Sequence, residues 1–127
     1  MIPKFRAWDK RFSEFVEDFF VSEDGNIYKK STDTGYGIAI SRETSDKVIL
    51  MQSTGLFDEN GVEIFEGDVL GTKDGLLNGV VEYRTDLGMW TNSLIRYNNF
   101  ERLCNVAGSR EIIGNIYENQ EILKEKE

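Results

Sequence analysis

Residues 51–70, "MQSTGLFDENGVEIFEGDVL", hold five acids (Asp58, Glu59, Glu63, Glu66 and Asp68), three glycines and no Lys or Arg. Three readings compete for such a stretch: a calcium loop, a catalytic carboxylate pair, or a tight turn between two strands. An EF-hand loop opened at Asp58 places Asn60 at its third position, but Val62 falls at the fifth. Glu63 then takes the sixth position, where glycine is required, and Val69 the twelfth, where a bidentate Glu is required. A glycosidase pair needs a set distance between its two carboxyl groups, which spacing along the chain does not supply, and the sugar-binding aromatics on offer are Trp8 and Trp90. "DENG", by contrast, puts Asp and Asn at early turn positions and Gly where the backbone needs positive φ. Leu56, Val62, Ile64 and Val69 are then free to face a core, Glu59, Glu63 and Glu66 stay in water, and "EGD" before Val69 bends the chain into the next strand. The turn is the favoured reading, with a loose carboxylate site at Asp58, Glu63 or Asp68 as the alternative. No catalytic residue, metal or cofactor is assigned.

Strand patterns extend outward from this turn. "VILMQST" (48–54) is β-branched and apolar enough for a buried strand. "IFEGDVLGT" (64–72) and "GVVEYRTD" (79–86) read as successive strands joined around "KDGLLN" (73–78), where Asp74-Gly75 and Asn78-Gly79 supply turn residues. "MWTNSLIRY" (89–97) reads as a further strand, "REIIGNIYEN" (110–119) as one interrupted by Gly114, and "NQEILKEKE" (119–127) as a short helix. Near the start, "KFRAWD" (4–9) alternates as a short strand. Residues 11–20 admit two readings: a helix, with Phe12, Phe15, Val16, Phe19 and Phe20 at helical spacing, or a hairpin of Phe19-Phe20-Val21, "EDGN" and Ile27-Tyr28. The hairpin is preferred. Residues 29–47 are a Ser-, Thr- and Gly-rich connection with a short strand at 37–40. The predicted fold is mainly β (α+β): a small SH3-like β-barrel in 48–127, an N-terminal strand or helix arm in 1–47, and a short C-terminal helix.

Composition limits the chemistry. The 127 residues, 39% hydrophobic and 12% aromatic, suit one small domain with an appended arm. The absence of histidine excludes Ser-His-Asp and Cys-His nucleophiles, histidine acid–base catalysis and the usual zinc sites. Carboxylate, Lys or Tyr chemistry and oxygen-ligated hard metals are left, so a non-enzymatic protein is expected. The single cysteine, Cys104, is expected to be a small buried residue and fits a reducing cytoplasm. "MIPKFRAWDKRF" has no secretory pattern and no apolar run is long enough for a membrane span, so no membrane partner is expected.

Three blocks, "KFRAWDK" (4–10), "LMQSTGLFDENGVEIFEGDVL" (50–70) and "EIIGNIYENQEIL" (111–123), together resemble the YopX family, small proteins of bacteriophages and prophages in Gram-positive hosts. Gln120 stands where the family usually has proline, and residues 11–47 and 72–109 are not diagnostic. The resemblance implies a mainly β, homo-oligomeric protein of the bacterial host cytoplasm, and it implies no activity residue by residue.

Two surfaces are candidates. The net charge of −8 opposes bulk attraction to nucleic acid, yet four arginines (Arg84, Arg96, Arg102, Arg110) face three acids between residues 82 and 110. Arg84, Trp90, Arg96, Tyr97 and Arg102, interleaved with Asn92, Asn98, Asn99 and Phe100, have the composition that holds phosphates and stacks bases. The plainer alternative is that the aromatics are core and the arginines balance local acids. Phe5, Trp8, Phe12, Phe15, Phe19 and Phe20 are many aromatics for an arm, so they pack either in the chain's own core or in an oligomer interface. The expected function is an oligomeric binding module engaging nucleic acid or a nucleic-acid-processing protein. The alternative is an acidic inhibitor or adaptor that captures a host protein.

Overall fold

The computed structural model describes residues 4–17, 19–21, 27–30, 37–39 and 47–119. Chain contacts divide it into two units, one of Met1–Phe5 with Met51–Glu127 and the other of Arg6–Leu50.

The larger unit is built on a five-stranded antiparallel sheet, curled into a half-barrel. Its strands are β8 (Asp68–Gly71), β9 (Gly79–Arg84), β10 (Met89–Leu94), β11 (Phe100–Arg102) and β12 (Glu111–Asn115), in the order β11-β10-β9-β8-β12. β6 (Val48–Phe57) enters this unit at Met51 and pairs there with the short β7 (Glu63–Phe65). The expected mainly β fold is thus observed. Apolar alternation explains the sheet: Ile64, Leu70, Val81, Leu103 and Ala107 form one core cluster, with Leu56, Trp90 and Ile112 packed against it.

Local structure places the bend of the "EGD" run at Gly67 and departs from the sequence reading at Val62 and Cys104. "IFEGDVLGT" is two strands, because Gly67 takes φ 86° and turns the chain between β7 and β8. Val62, assigned to the core, is 52% exposed, since it lies in the turn just before β7. Cys104, expected to be buried, is exposed. It sits in a four-residue helix, α1 (Leu103–Val106), whose inward position is taken by Leu103. The helix expected over 119–127 lies outside the described residues beyond Asn119.

The smaller unit holds β1 (Phe5–Asp9), β2 (Glu14–Phe15), β3 (Phe19–Val21), β4 (Ile27–Lys30) and β5 (Gly37–Ala39). The hairpin reading is borne out: Phe19, Phe20 and Val21 pair with Lys29, Tyr28 and Ile27. Ala7, Ile27 and Val48 form its core with Val16, Phe19 and Leu50 packed around them.

Candidate nucleic-acid interface

The acids of 51–70 take two different roles. Asp58 is 6% exposed, and its Oδ1 accepts the backbone N–H groups of Asn60 and Val62, both at 2.9 Å. Its Oδ2 accepts Ile112 N–H at 3.1 Å, across 54 residues. Burial pushes the Asp58 pKa up, but the N–H groups of Ile112, Val62 and Asn60 outweigh it and leave the carboxyl below its ordinary value. Asp68 is also buried and accepts Phe65 N–H at 2.8 Å. Glu63 meets Lys4 Nζ at 3.4 Å, and Glu59 is exposed. Among the described residues no group of three acidic or Cys side chains is placed to hold a metal ion. Asp58 therefore anchors the "DENG" turn, and Asp68 the turn between β7 and β8.

The same anchors join the blocks that carry the family resemblance. Gly67 N–H donates to Val81 O at 2.8 Å, and Gly67 O accepts Ile116 N–H at 2.9 Å. The positive φ favours glycine at this position, and a side chain at Gly67 would also come within 3.2 Å of Met51 Sδ. β12 pairs with β8 from Asn115–Asp68 to Glu111–Gly71, with a bulge between Ile112 and Gly114. Beyond it, Asn115 Oδ1 accepts the N–H groups of Tyr117 and Glu118, which turns "GNIYEN" back on itself. Lys4 O accepts Ser53 N–H at 2.8 Å.

On the sheet, strand alternation divides the Arg/aromatic set. The register Met89–Arg84, Thr91–Glu82 and Thr91–Arg102 puts Arg84 and Arg102 on one face. Trp90, opposite Tyr83, is on the other face, where it packs on the core with its ring 5.2 Å from Tyr83. Trp90 is thus not brought to the surface that holds the arginines. Arg102 is exposed on β11.

Arg84, Arg96 and Tyr97 do come together. They line an open concavity of about 510 Å³ with Asn98, Asn99 and Phe100. The Arg84 guanidinium lies 5.2 Å from the Phe100 ring centroid and pairs with both Asp86 carboxylate oxygens, at 2.9 and 2.8 Å. The Asp86 carboxylate raises the Arg84 pKa and is itself lowered by it. Arg96 and Tyr97 are exposed, and neither side chain has a hydrogen-bond, ion-pair or ring partner among the described residues. The loop that displays them is fixed at its root. Ile95 is buried, Ile95 N–H donates to Asn78 O at 2.9 Å, and Leu94 N–H closes the loop onto Asn99 O at 3.0 Å.

Beneath this surface Arg110, 7% exposed, grips Glu101 through Nη1–Oε1 at 2.5 Å and Nη2–Oε2 at 2.8 Å. Asn92 adds a bond to Glu101 Oε1 at 3.1 Å. The Arg110 hydrogen bond holds the Glu101 carboxyl below its ordinary range, against the opposing effect of burial, and Asn92 adds to it. Arg110 is thereby a structural cation. Asp86 and Glu101 are two of the three local acids that the sequence sets against the arginines, and for Arg84 and Arg110 the balancing alternative holds. A period-2 reading pairs Arg84 with Asp86 on one face, but nothing in spacing marks the link from Glu101 to Arg110.

The expected interface aromatics are dispersed. Trp8 is buried with its edge on Phe15 at 4.9 Å, and Phe19 packs in the smaller unit's core. Phe5, Phe12 and Phe15 are exposed, while the Phe20 side chain is outside the described set. The Arg6 guanidinium covers Phe15 at 5.1 Å, and that of Arg11 covers Phe12 at 4.8 Å.

Comparison with known proteins places these features in a lineage. The YopX protein family matches residues 4–124. The crystal structure of protein EF1440 from Enterococcus faecalis is 32% identical with a TM-score of 0.65, covering 97% of this chain and 99% of that one. YopX from Bacillus subtilis shares the fold at 18% identity and a TM-score of 0.60, over 93% of this chain and 95% of that one. No curated protein matches. The match spans all three of the blocks quoted above, and the chain belongs to the YopX protein family.

Proposed function

We propose that this protein is a non-enzymatic binding module that engages nucleic acid through the concavity of Arg84, Arg96, Tyr97, Asn98, Asn99 and Phe100. The observation that carries this reading is the convergence of two arginines, an exposed Tyr and two amides on one fixed loop and its neighbouring strand. Arginine and amide groups hold phosphates and an exposed ring stacks on bases, irrespective of sequence. The net charge of −8 restricts the footprint to this local patch. The alternative, capture of a basic host protein by the acids of 58–68, is weakened because Asp58 and Asp68 are spent on backbone N–H groups. Self-association is supported by the exposure of Phe5, Phe12 and Phe15 in the single chain, and light scattering measures it directly.

The test is fluorescence anisotropy of labelled single- and double-stranded oligonucleotides across a salt series. The native protein is expected to bind at low salt with affinity falling as salt rises. Arg84→Ala combined with Arg96→Ala should weaken binding at least tenfold and flatten the salt dependence. Failure of the native protein to bind either form at low salt overturns the reading.

A further inference from the structure

The geometry points to an unpaired strand, rather than a duplex, as the occupant of this concavity; we infer that Tyr97 stacks on one exposed base while Arg96 pairs with the adjoining phosphate. This rests on the nucleic-acid reading above and narrows it.

Three observations carry it. First, Arg96 and Tyr97 are neighbours on the 95–99 loop, both are exposed without a partner among the described residues, and both line the same concavity, so a ring and a guanidinium are available to one ligand. Stacking needs a base whose face is open, which a duplex does not offer. Second, the other cation is already engaged. Arg84 is held by both oxygens of Asp86 and covers Phe100, which leaves Arg96 as the uncompensated charge in the concavity. A duplex groove needs a broad basic surface to neutralise closely spaced phosphates, whereas one or two nucleotides need a single charge and a ring. Third, the cleft of about 510 Å³ falls in the range of small-molecule sites, and the bonds from Ile95 to Asn78 and from Leu94 to Asn99 fix the loop beforehand. A fixed loop loses little freedom when a ligand arrives.

Asp86 follows as the group that competes with a phosphate for Arg84. Its replacement by Asn removes the competing charge and frees Arg84 for a second phosphate.

The experiment compares three probes of equal length at low salt: a labelled oligothymidylate, the same strand with abasic sugars, and a duplex. Oligothymidylate is expected to bind at least tenfold more tightly than either of the others. Tyr97→Ala should weaken oligothymidylate by about tenfold and leave the abasic strand unchanged, and Tyr97→Phe should retain binding. Arg96→Ala should reduce the salt slope by about 0.7, one single-strand phosphate contact. Asp86→Asn should tighten binding several-fold. All three residues are exposed, and circular dichroism confirms that each variant is folded. Equal binding of the abasic strand or the duplex overturns this inference and leaves the broader nucleic-acid reading standing. Binding of no probe overturns both.

Discussion

At the residue scale, Asp58 shows why an acidic run need not be a reactive one. Its two oxygens collect three backbone N–H donors, one of them from Ile112 on the far side of the chain. An Asn at this place turns one acceptor into a donor, so a backbone N–H loses its partner and a charge-assisted bond is gone. Asp58→Asn is expected to lower stability by about 2 kcal/mol, read as a lower urea midpoint. Glu59→Gln, next to it but exposed, should stay within about 0.5 kcal/mol. Equal effects would remove Asp58 from its anchoring role. "DENG" was legible as a turn from its residue types, but the bond to Ile112 was not, because only the folded chain brings 58 and 112 together. Val62 was misplaced for a related reason: apolar character marks a residue as able to enter the core, and the turn decided that it would not. Cys104 likewise lost the inward place to Leu103, one residue earlier on the helix.

At the element scale, most strands of the curled sheet were readable from alternation and from the glycine-marked turns. The bend at "EGD" was legible from its glycine, and Gly67 makes it between β7 and β8. α1 was hidden, because a four-residue helix gives too short a period to detect. The division of the arginines from Trp90 follows from strand parity, once the hairpin between β9 and β10 has its register. What parity does not supply is the loop after β10, which folds Arg96 and Tyr97 back beside Arg84. The β9–β10 pairing depends on close contact at Gly79, where an added Cβ would run into the Asn92 carboxamide. Gly79→Ala should therefore destabilise by about 2 kcal/mol through overpacking and a displaced Asn92–Glu101 bond. Gly108→Ala meets no neighbour within 4 Å and serves as the neutral comparison in thermal melts. A Gly79→Ala protein as stable as Gly108→Ala would show that the sheet yields there.

At the scale of the whole molecule, the chain combines membership of the YopX family, a net charge of −8 and the Arg84–Arg96 concavity. Its response to acid follows from its carboxylates. Asp58 and Glu101 have folded-state pKa values below their ordinary ones, so their stabilisation is full above the ordinary carboxylate range. It is lost as pH falls through the lower folded values. Thermal midpoints should stay level from pH 7 to about 5 and drop below about pH 4, given that histidine, the side chain that ordinarily titrates near neutrality, is absent. A midpoint that rises on acidification would mean that charge repulsion outweighs these two anchors.

The most direct measurement is a backbone amide NMR titration of the native protein with a short single-stranded oligonucleotide. Shift changes should concentrate at Arg84 and at residues 93–100, with the 58–68 turn unmoved. Changes centred on 58–68 or on the N-terminal strands, or no changes at all, would contradict binding at the Arg84–Arg96–Tyr97 concavity.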